Sequence, residues 1–376
     1  MAVSADPDPH RAGLLAVAEA ASQPDRRRVR SALLFAAGRH ASAAHAVAAG
    51  AAEHLPDATI IVVGGSGVLS PEGESVGASA VTALALNVTV TAAVAGPVRD
   101  EVSARRAGEQ LGDALSHTPP RPALLFCRPS AVVDVLLDTF VARASPTTVA
   151  GGGLSAEGTV AVVAPGEGIQ ASEALAVRFD GGVRMAVGAS PAVERLTAWL
   201  PVQVVEDGMV LRAGGRPPLV LLTEAVRDRA DRPLVLVAIA PPDGTTDREG
   251  ACLVRGISGV DPTRGAVHLG SEVQEGDRIA FATLDPDASR RDVLLMLRHL
   301  ERDMAGGVPL AGIYFDCAGR GERLYGRPGV DSRLIRDRFD ELPFAGMRSS
   351  FEIAPFGDRP RTHVYTGVFA LLFAPS

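Results

Sequence analysis

The chain has 376 residues and a net charge of −7; 47% of the residues are hydrophobic and 22% are charged. This composition is typical of a globular protein, and the length predicts two domains. None of the 37 residues counted as Lys or Arg is a lysine. Because a P-loop, a pyridoxal-phosphate site and a protein kinase each require a lysine, the sequence excludes these three classes.

The charge and cysteine patterns restrict the partners and the compartment. The acidic balance and the scattered arginines disfavour a nucleic-acid partner, and the densest basic group, residues 26–30, is interpreted as a solvated linker. Cys127, Cys252 and Cys317 form neither a disulfide framework nor a zinc spacing. No basic-then-apolar leader and no apolar run of about 20 residues occurs. We therefore predict a cytoplasmic protein with no metal and no membrane partner.

A strand–helix–strand layout that ends in glycine occurs three times along the chain. The copies begin at residues 32, 123 and 312 and reach their glycines at Gly64, Gly151 and Gly346. In each copy a short apolar segment predicts a buried strand, and a second one runs directly into glycine. The intervening helices are predicted at residues 41–54, 130–143 and 331–342.

These copies predict an α/β fold with repeated β-α-β units and mixed sheets covered by helices, in two tandem domains. Short alternating segments between the copies predict further strands. Residues 289–304 predict one more helix, with Ser289 as its N-cap. The predicted domains span residues 30–200 and 201–376, after an N-terminal extension at residues 1–29.

The glycine turns allow two interpretations. Glycine is the commonest way to end a strand, and it also permits close approach of a ligand. Gly151 and Gly346 are each followed six residues later by a glutamate, Glu157 and Glu352. A carboxylate at a fixed distance from such a turn is suited to hold a donor group, and the recurrence favours a binding role.

The turn of the third copy contains the sequence Gly319-Arg320-Gly321. Successive backbone N–H groups and a guanidinium are the chemistry that holds a carboxylate or phosphate. We expect Arg320 to hold an anionic ligand group and Glu352 to hold an ammonium group opposite it. A solvated loop arginine is the alternative.

Cys317 follows the first strand of the third copy and precedes Arg320. An adjacent arginine is expected to lower the pKa of the thiol, and His363 with Glu352 would complete a Cys/His/acid set. A cysteine that only lines a pocket, or that is inert and buried, is the other interpretation. The sequence does not show whether the three side chains meet.

Residues 315–326, 346–355 and 362–366 resemble the C-terminal part of the FIST family, bacterial sensory proteins named for F-box and intracellular signal transduction. The glycine junctions near residues 64 and 151 are similar to the paired turns of the N-terminal part of that family. The resemblance runs from about residue 30 to the end of the chain. This chain departs from the family pattern at Gly65, Ser70, Phe351 and Val364, where the family usually has Cys, Glu, Gly and Asn.

The resemblance implies ligand-binding residues at the turns of all three copies. They are Gly64, Gly65, Gly151, Gly152, Cys317, Gly319, Arg320, Gly321, Gly346, Ser349, Glu352, His363 and Thr366. It further implies a sensory module, not an enzyme, that binds a small polar metabolite such as an amino acid and signals through a separate protein such as a kinase. No cofactor is expected. The alternatives are a haem-binding nitric oxide sensor, with His363 or Cys317 as axial ligand, and a Cys-dependent hydrolase or transferase.

Overall fold

The computed structural model describes residues 1–22, 29–227, 234–242, 251–269 and 273–375. Within these ranges, 26 strands and eight α-helices form mixed sheets that helices cover. The predicted α/β class is therefore confirmed. Residues 26–28 of the arginine linker lie outside the described residues.

Three units that share the order of elements β-α-β-α-β-β-β-β, with one additional short helix, α7, in the third, make up most of the molecule. The first consists of β1 (Ala2–Ser4), α1 (Pro9–Ala21), β2 (Ser31–Ala37), α2 (Ala44–His54), β3 (Thr59–Gly64), β4 (Gly67–Ser70), β5 (Gly73–Val76) and β6 (Ala80–Leu86). The second consists of β7 (Val90–Ala95), α3 (Glu101–Leu115), β8 (Ala123–Cys127), α4 (Val133–Ala144), β9 (Val149–Gly153), β10 (Val160–Val163), β11 (Gln170–Ser172) and β12 (Ala174–Phe179).

The third unit starts with β13 (Arg184–Pro191) and is then interrupted by an inserted β-rich segment. The insertion contains β14 (Val193–Arg195), β15 (Leu200–Glu206), β16 (Met209–Ala213), α5 (Pro218–Val226), β17 (Val235–Ala240), β18 (Leu253–Gly256), β19 (Gly259–Asp261), β20 (Ala266–His268) and β21 (Arg278–Leu284). The unit resumes with α6 (Pro286–Met304), β22 (Val308–Cys317), α7 (Glu322–Tyr325), α8 (Val330–Phe339), β23 (Phe344–Ser349), β24 (Glu352–Phe356), β25 (Arg359–His363) and β26 (Thr366–Ala374).

The strands pair in the same way in every unit. The second and third strands are parallel, as the predicted β-α-β copies require: β2 with β3, β8 with β9, and β22 with β23. The last strand of each unit lies antiparallel between the first and the second. The three copies seen in the sequence are thus parts of a larger repeated unit.

The remaining two strands of each unit form a hairpin that pairs with a different unit. β4 of the first unit pairs with β23 of the third, β24 of the third with β9 of the second, and β10 of the second with β3 of the first. Because each unit gives its hairpin to one unit and receives the hairpin of the other, these exchanged hairpins link the three units in a closed cycle. The glycine turn of one copy is thereby brought to the end of a strand of another copy.

The three sheets surround one apolar core, and the helices cover their outer faces. Along β2, Leu33 and Phe35 face this central core, whereas Leu34 packs in the cluster beneath α1 and α2. Burial on both faces explains why the strand is apolar throughout. Phe35, Phe126 and Phe315, one from each unit, meet edge to face with ring centroids 5.6–6.3 Å apart.

Helix α6 begins three residues before the predicted start, so the prediction of Ser289 as its N-cap is wrong. Asp285 is the N-cap: its Oδ1 accepts a hydrogen bond of 2.6 Å from the backbone N–H of Ala288, and Pro286 occupies the first turn. Ser289 lies inside the helix, and its hydroxyl is 2.7 Å from the Tyr325 hydroxyl. Proline is favoured at the first position of a helix. Pro286 therefore indicates that the N-cap is Asp285 and not Ser289, which lies one turn later.

The two ends of the insertion lie side by side, because β14 pairs antiparallel with β21. The chain therefore leaves the third unit after β13 and returns to it at α6 at neighbouring positions. Leu200, at the predicted domain boundary, is the first residue of β15 within this insertion, and the boundary itself stays a prediction. No helix in the described ranges is long and apolar enough to cross a membrane.

Candidate functional site

Two adjoining cavities lie where the insertion joins the third unit. The larger, called here the outer cleft, has a volume of about 850 Å³ and is lined by β13, β14, the start of α6, and parts of the inserted sheet. The smaller, called the inner pocket, has a volume of about 50 Å³ and lies between β13, α6 and the β24–β25 hairpin. Pro191, Ala251, Cys252 and Asp292 line both cavities. Domain junctions of this kind are common ligand sites.

His363 is the polar side chain that the inner pocket leaves without a partner. It is 1% exposed, and within the described part of the chain neither ring nitrogen has a partner at full hydrogen-bond geometry. Burial, reinforced by the positive charge of Arg255, lowers its pKa to about 3, although a weak contact with the Ala354 backbone opposes this shift. The ring is therefore neutral at physiological pH and offers one donor and one acceptor to a ligand.

Asp292 projects from α6 into both cavities. Burial raises the pKa of its carboxyl to about 7, although the charges of Arg320 and Arg291 oppose this shift. The side chain can thus accept hydrogen bonds as a carboxylate or donate one as an acid near neutral pH. A ligand with an ammonium group would favour the carboxylate form.

The outer cleft carries three arginines around the single tryptophan of the chain. The guanidinium carbons of Arg195 and Arg278 lie 5.0 Å and 5.5 Å from the centroid of the Trp199 ring. Arg291 lines the same cleft from α6. This arrangement concentrates positive charge at the mouth of the inner pocket.

Arg320, predicted to hold an anionic ligand group, is 1% exposed and bonded to its own chain. It contacts Asp316 at 3.0 Å and Asp331 at 2.9 Å, and it donates to the backbone oxygen of Ser190 at 2.9 Å and to the Tyr325 hydroxyl at 3.1 Å. A buried guanidinium requires such compensation. The geometry gives Arg320 a structural role, and a ligand contact by this residue stays a prediction.

Arg348 continues this buried ionic group towards the first unit. Its Nη2 donates to Glu74 Oε2 of β5 at 2.6 Å and lies 3.8 Å from Asp316. Gly321, another predicted site residue, has a φ of +61°, and a Cβ there would lie 1.3 Å from Arg348 Nη2. Glycine at position 321 therefore makes room for the arginine.

The predicted nucleophile does not have the environment that the sequence suggested. Burial and the nearby carboxyl of Glu352 raise the pKa of Cys317 to about 12, instead of Arg320 lowering it. The arginine charge is offset by the carboxylates that it contacts. Because the thiolate is the reactive form, this environment argues against a Cys-dependent enzyme.

Cys317, Glu352 and His363 are partly brought together. Glu352 and His363 are paired across β24 and β25, and the Glu352 carboxyl lies close enough to Cys317 to raise the pKa of its thiol. Glu352 is completely buried; Ser349 Oγ donates to its Oε1 at 2.7 Å, while Oε2 has no partner among the described residues. Burial holds the pKa of Glu352 well above its usual range.

Thr366 and Gly319 lie at the edges of this group. Thr366 is buried at the start of β26, and its hydroxyl donates to the Val364 oxygen at 2.9 Å. Gly319 is half-buried, and a Cβ there would lie 3.5 Å from the Tyr365 ring.

The exchanged hairpins bring the three glycine turns together near Ser349. Gly152 pairs with Glu352, and the backbone N–H of Ser66, beside Gly65, donates to the Arg348 oxygen at 2.9 Å. Glu157, which shares the glycine spacing with Glu352, is exposed instead. At each of the predicted binding glycines of these turns, an added Cβ would lie within 2.9 Å of a backbone oxygen. The distances are 2.3 Å at Gly64 (to Ala41), 2.9 Å at Gly65 (to Arg348), 1.8 Å at Gly151 (to Leu125), 2.9 Å at Gly152 (to Phe351) and 2.0 Å at Gly346 (to Tyr314). These distances show that the glycines permit close packing of backbone, and a ligand contact by them stays a prediction.

The surroundings of His363 do not fit a haem group. The cavity beside its ring measures about 50 Å³, whereas pockets for ligands of ordinary size measure about 300–1,000 Å³. Phe356 stacks edge to face on the imidazole, with centroids 6.3 Å apart. Among the residues that the structure describes, no three His, Cys, Asp or Glu side chains are grouped to hold a metal ion.

Sequence reasoning missed Asp292, Arg195, Arg291 and Trp199. They belong to no local motif, since the cleft is assembled from the root of the insertion and from the β24–β25 hairpin. The one available signal was the single tryptophan beside the predicted domain boundary. Of the predicted site residues, His363 lines the inner pocket.

Comparisons with known proteins agree with the resemblance seen in the sequence. The family model of the FIST N domain matches residues 31–212, and that of the FIST C domain matches residues 218–355. Uncharacterized proteins of Mycobacterium tuberculosis and Mycobacterium bovis are 32% and 30% identical to this chain over 173 residues. Each match covers 44% of this chain and 45% of the relative, so it spans about half the length of these curated proteins.

Proposed function

Since this chain belongs to the FIST family, whose N and C domains are sensory domains of signal transduction, we propose that it binds a small polar metabolite such as an amino acid in the inner pocket and the adjoining outer cleft. The state of this site is passed to a separate signalling protein, such as a kinase. Both the ligand and the partner are inferences from the family and from the chemistry of the cavities.

The observation that carries the proposal is the buried, unpartnered ring of His363. Leaving a buried polar group without a hydrogen bond costs about 1–3 kcal/mol. Such a group in the wall of a cavity is stabilised when a ligand supplies the missing partner. Asp292 lines the same pocket and is suited to an ammonium group.

The location of the site supports a sensory role. The outer cleft is lined on one side by β13 and α6 of the third unit and on the other by strands of the insertion. A ligand that contacts both sides favours one arrangement of the insertion over others. Differential contact of this kind is what allows a ligand to shift a conformational equilibrium.

The test is a thermal-stability screen with the amino acids and small organic acids. A ligand at 100 times its Kd stabilises the folded state by about 2.7 kcal/mol. We expect at least one compound to raise the Tm, and we expect His363→Gln and Asp292→Asn to abolish that rise.

Matched controls are His45→Gln on α2 and Asp138→Asn on α4, both at exposed positions away from the cavities. They should retain the full rise in Tm. The proposal is wrong if no compound stabilises the protein, or if the pocket variants respond like the controls.

A further inference from the structure

We propose that the outer cleft holds an oxyanion of the ligand, so that the bound metabolite has a net negative charge. The class comprises acidic amino acids, dicarboxylates and small phosphate esters. This inference rests on the proposed function and specifies the chemistry of its ligand.

The first support is the arrangement of Arg195 and Arg278 around Trp199. Both guanidinium groups lie within about 6 Å of the ring centroid, the range of a cation–π contact. Such a contact holds the guanidinium by its charge and does not use an N–H donor. Arg278 also donates through Nε to the Pro241 oxygen at 3.1 Å, which fixes its position further.

The ring contacts therefore pre-position the arginines. An arginine held in place loses less conformational freedom when it binds a carboxylate or phosphate through paired N–H groups. Trp199 itself is half-buried in the wall of the cleft. Pre-organisation of this kind increases affinity without additional contacts.

The second support is the balance of charge in the cleft. Among the described residues, Arg195 and Arg291 line it together with two carboxyl side chains, Glu194 and Asp292. Because the pKa of Asp292 is about 7, only part of its negative charge is present at neutral pH, and the positive charge of these two arginines exceeds the negative charge of the two carboxyl groups. A zwitterion leaves this excess unchanged, whereas a ligand with one or two net negative charges reduces it.

The inner pocket adds the requirement for a second, different group. Two of the polar side chains that line it, His363 and Asp292, offer acceptors to a small donor such as an ammonium or hydroxyl group. Its volume of about 50 Å³ admits a group of that size and excludes a larger one. An acidic amino acid or a phosphorylated amino alcohol satisfies both cavities.

The test is calorimetric titration with pairs of probes that have closely similar shapes or differ by one anionic group. L-Glutamate is compared with L-glutamine, and O-phospho-L-serine with L-serine. We expect the acidic member of at least one pair to bind at least 10-fold more tightly. Preference in the first pair identifies a carboxylate, and preference in the second identifies a phosphate.

The residue-level arm uses Arg195→Gln, with Arg298→Gln as the control. Arg298 is an exposed arginine of α6 and does not line either cavity. The charge preference should fall at least fivefold in Arg195→Gln and remain unchanged in Arg298→Gln. Raising the salt concentration from 50 to 300 mM should weaken the acidic probe more than its neutral partner.

Equal affinity for the acidic and neutral members of both pairs would overturn the inference, as would an undiminished preference in Arg195→Gln. If compounds of the wider screen bind but none has a net negative charge, this inference fails and the proposed function stands. If no compound of the screen or of the probe pairs binds, both fail.

Discussion

Asp292 and His363 line one pocket, and burial shifts their pKa values in opposite directions: it raises that of the aspartic acid and lowers that of the histidine. The histidine, with a pKa of about 3, stays neutral, and the aspartic acid, with a pKa of about 7, is half-protonated under physiological conditions. Both shifts reduce the charge that the pocket must accommodate when it is empty. The site is therefore less charged than its side chains suggest, and its charge is set by the ligand.

The shift of Asp292 gives a prediction for stability as a function of pH. Its folded-state pKa, about 7, exceeds the usual value of 3.8, so the folded protein binds the proton more tightly and loses stability as pH rises through this interval. The loss from this one group is at most about 4 kcal/mol. Asp292→Asn should therefore be more stable than the wild type at pH 8.5. The difference in the free energy of unfolding between the two proteins should be larger at pH 8.5 than at pH 5.

Urea unfolding of both proteins at pH 5 and pH 8.5 measures this difference. Asp138→Asn, at an exposed position of α4, should follow the wild type at both values. Identical pH dependence of Asp292→Asn and the wild type would show that Asp292 has no raised pKa.

At the scale of the elements, the parallel strand pairs explain two of the predicted binding glycines. Gly151 lies opposite Leu125 in the β8–β9 pair, and Gly346 lies opposite Tyr314 in the β22–β23 pair. The two positions are equivalent in the second and third units. In both, the neighbouring carbonyl oxygen occupies the space of a Cβ.

Gly346→Ala is therefore expected to destabilise the protein by roughly 3 kcal/mol, since overpacking forces the strands apart. Gly168→Ala is the control, because nothing lies within 4 Å of its added Cβ, and it should be within about 0.5 kcal/mol of the wild type. Urea unfolding measures both. If Gly346→Ala keeps its stability but loses ligand binding, the turn is a ligand site and the packing explanation is wrong.

The elements also show which parts of the fold the sequence could predict. The three β-α-β copies were readable because strands buried on both faces are continuous apolar segments next to amphipathic helices. The exchanged hairpins were not, because their strands have three to five residues and pair with distant parts of the chain. Ser66 and Arg348, which are hydrogen-bonded beside the β4–β23 pair, are 282 residues apart.

The candidate site was harder to predict than the fold for a related reason. His363 was found through its family motif, whereas Asp292 and Arg195 reach the same cavities from elements far apart in sequence. Arg320 was predicted as an anion site from its glycine-rich turn, yet it is buried in contact with Asp316 and Asp331. A local pattern identifies a side chain's chemistry but not the partners that the fold gives it.

At the scale of the whole molecule, the three units form a ring, and their connections are equivalent. Each unit's last strand leads into the next unit's first strand: β6 into β7 through residues 87–89, and β12 into β13 through residues 180–183. β1 takes the same place beside β6 that β7 takes beside β12 and β13 takes beside β26. From this equivalence we expect the end of β26 to lie near the start of β1.

This topology predicts that the chain tolerates circular permutation at a unit boundary. If Ser376 is joined directly to Met1, residues 375, 376 and 1 connect β26 to β1, which matches the three-residue connection between β6 and β7. New ends between Gly181 and Gly182, two glycines at an exposed turn, leave every strand pair intact. Because chains tolerate new ends at such exposed turns, this permutant should fold with an unchanged circular dichroism spectrum and cooperative unfolding.

The control permutant opens between Ile313 and Tyr314, which divides β22 and both of its strand pairs, and it should not fold. Loss of folding in the first permutant, with the direct link lengthened by several glycines as a check on strain, would show that the ring does not close between β26 and β1.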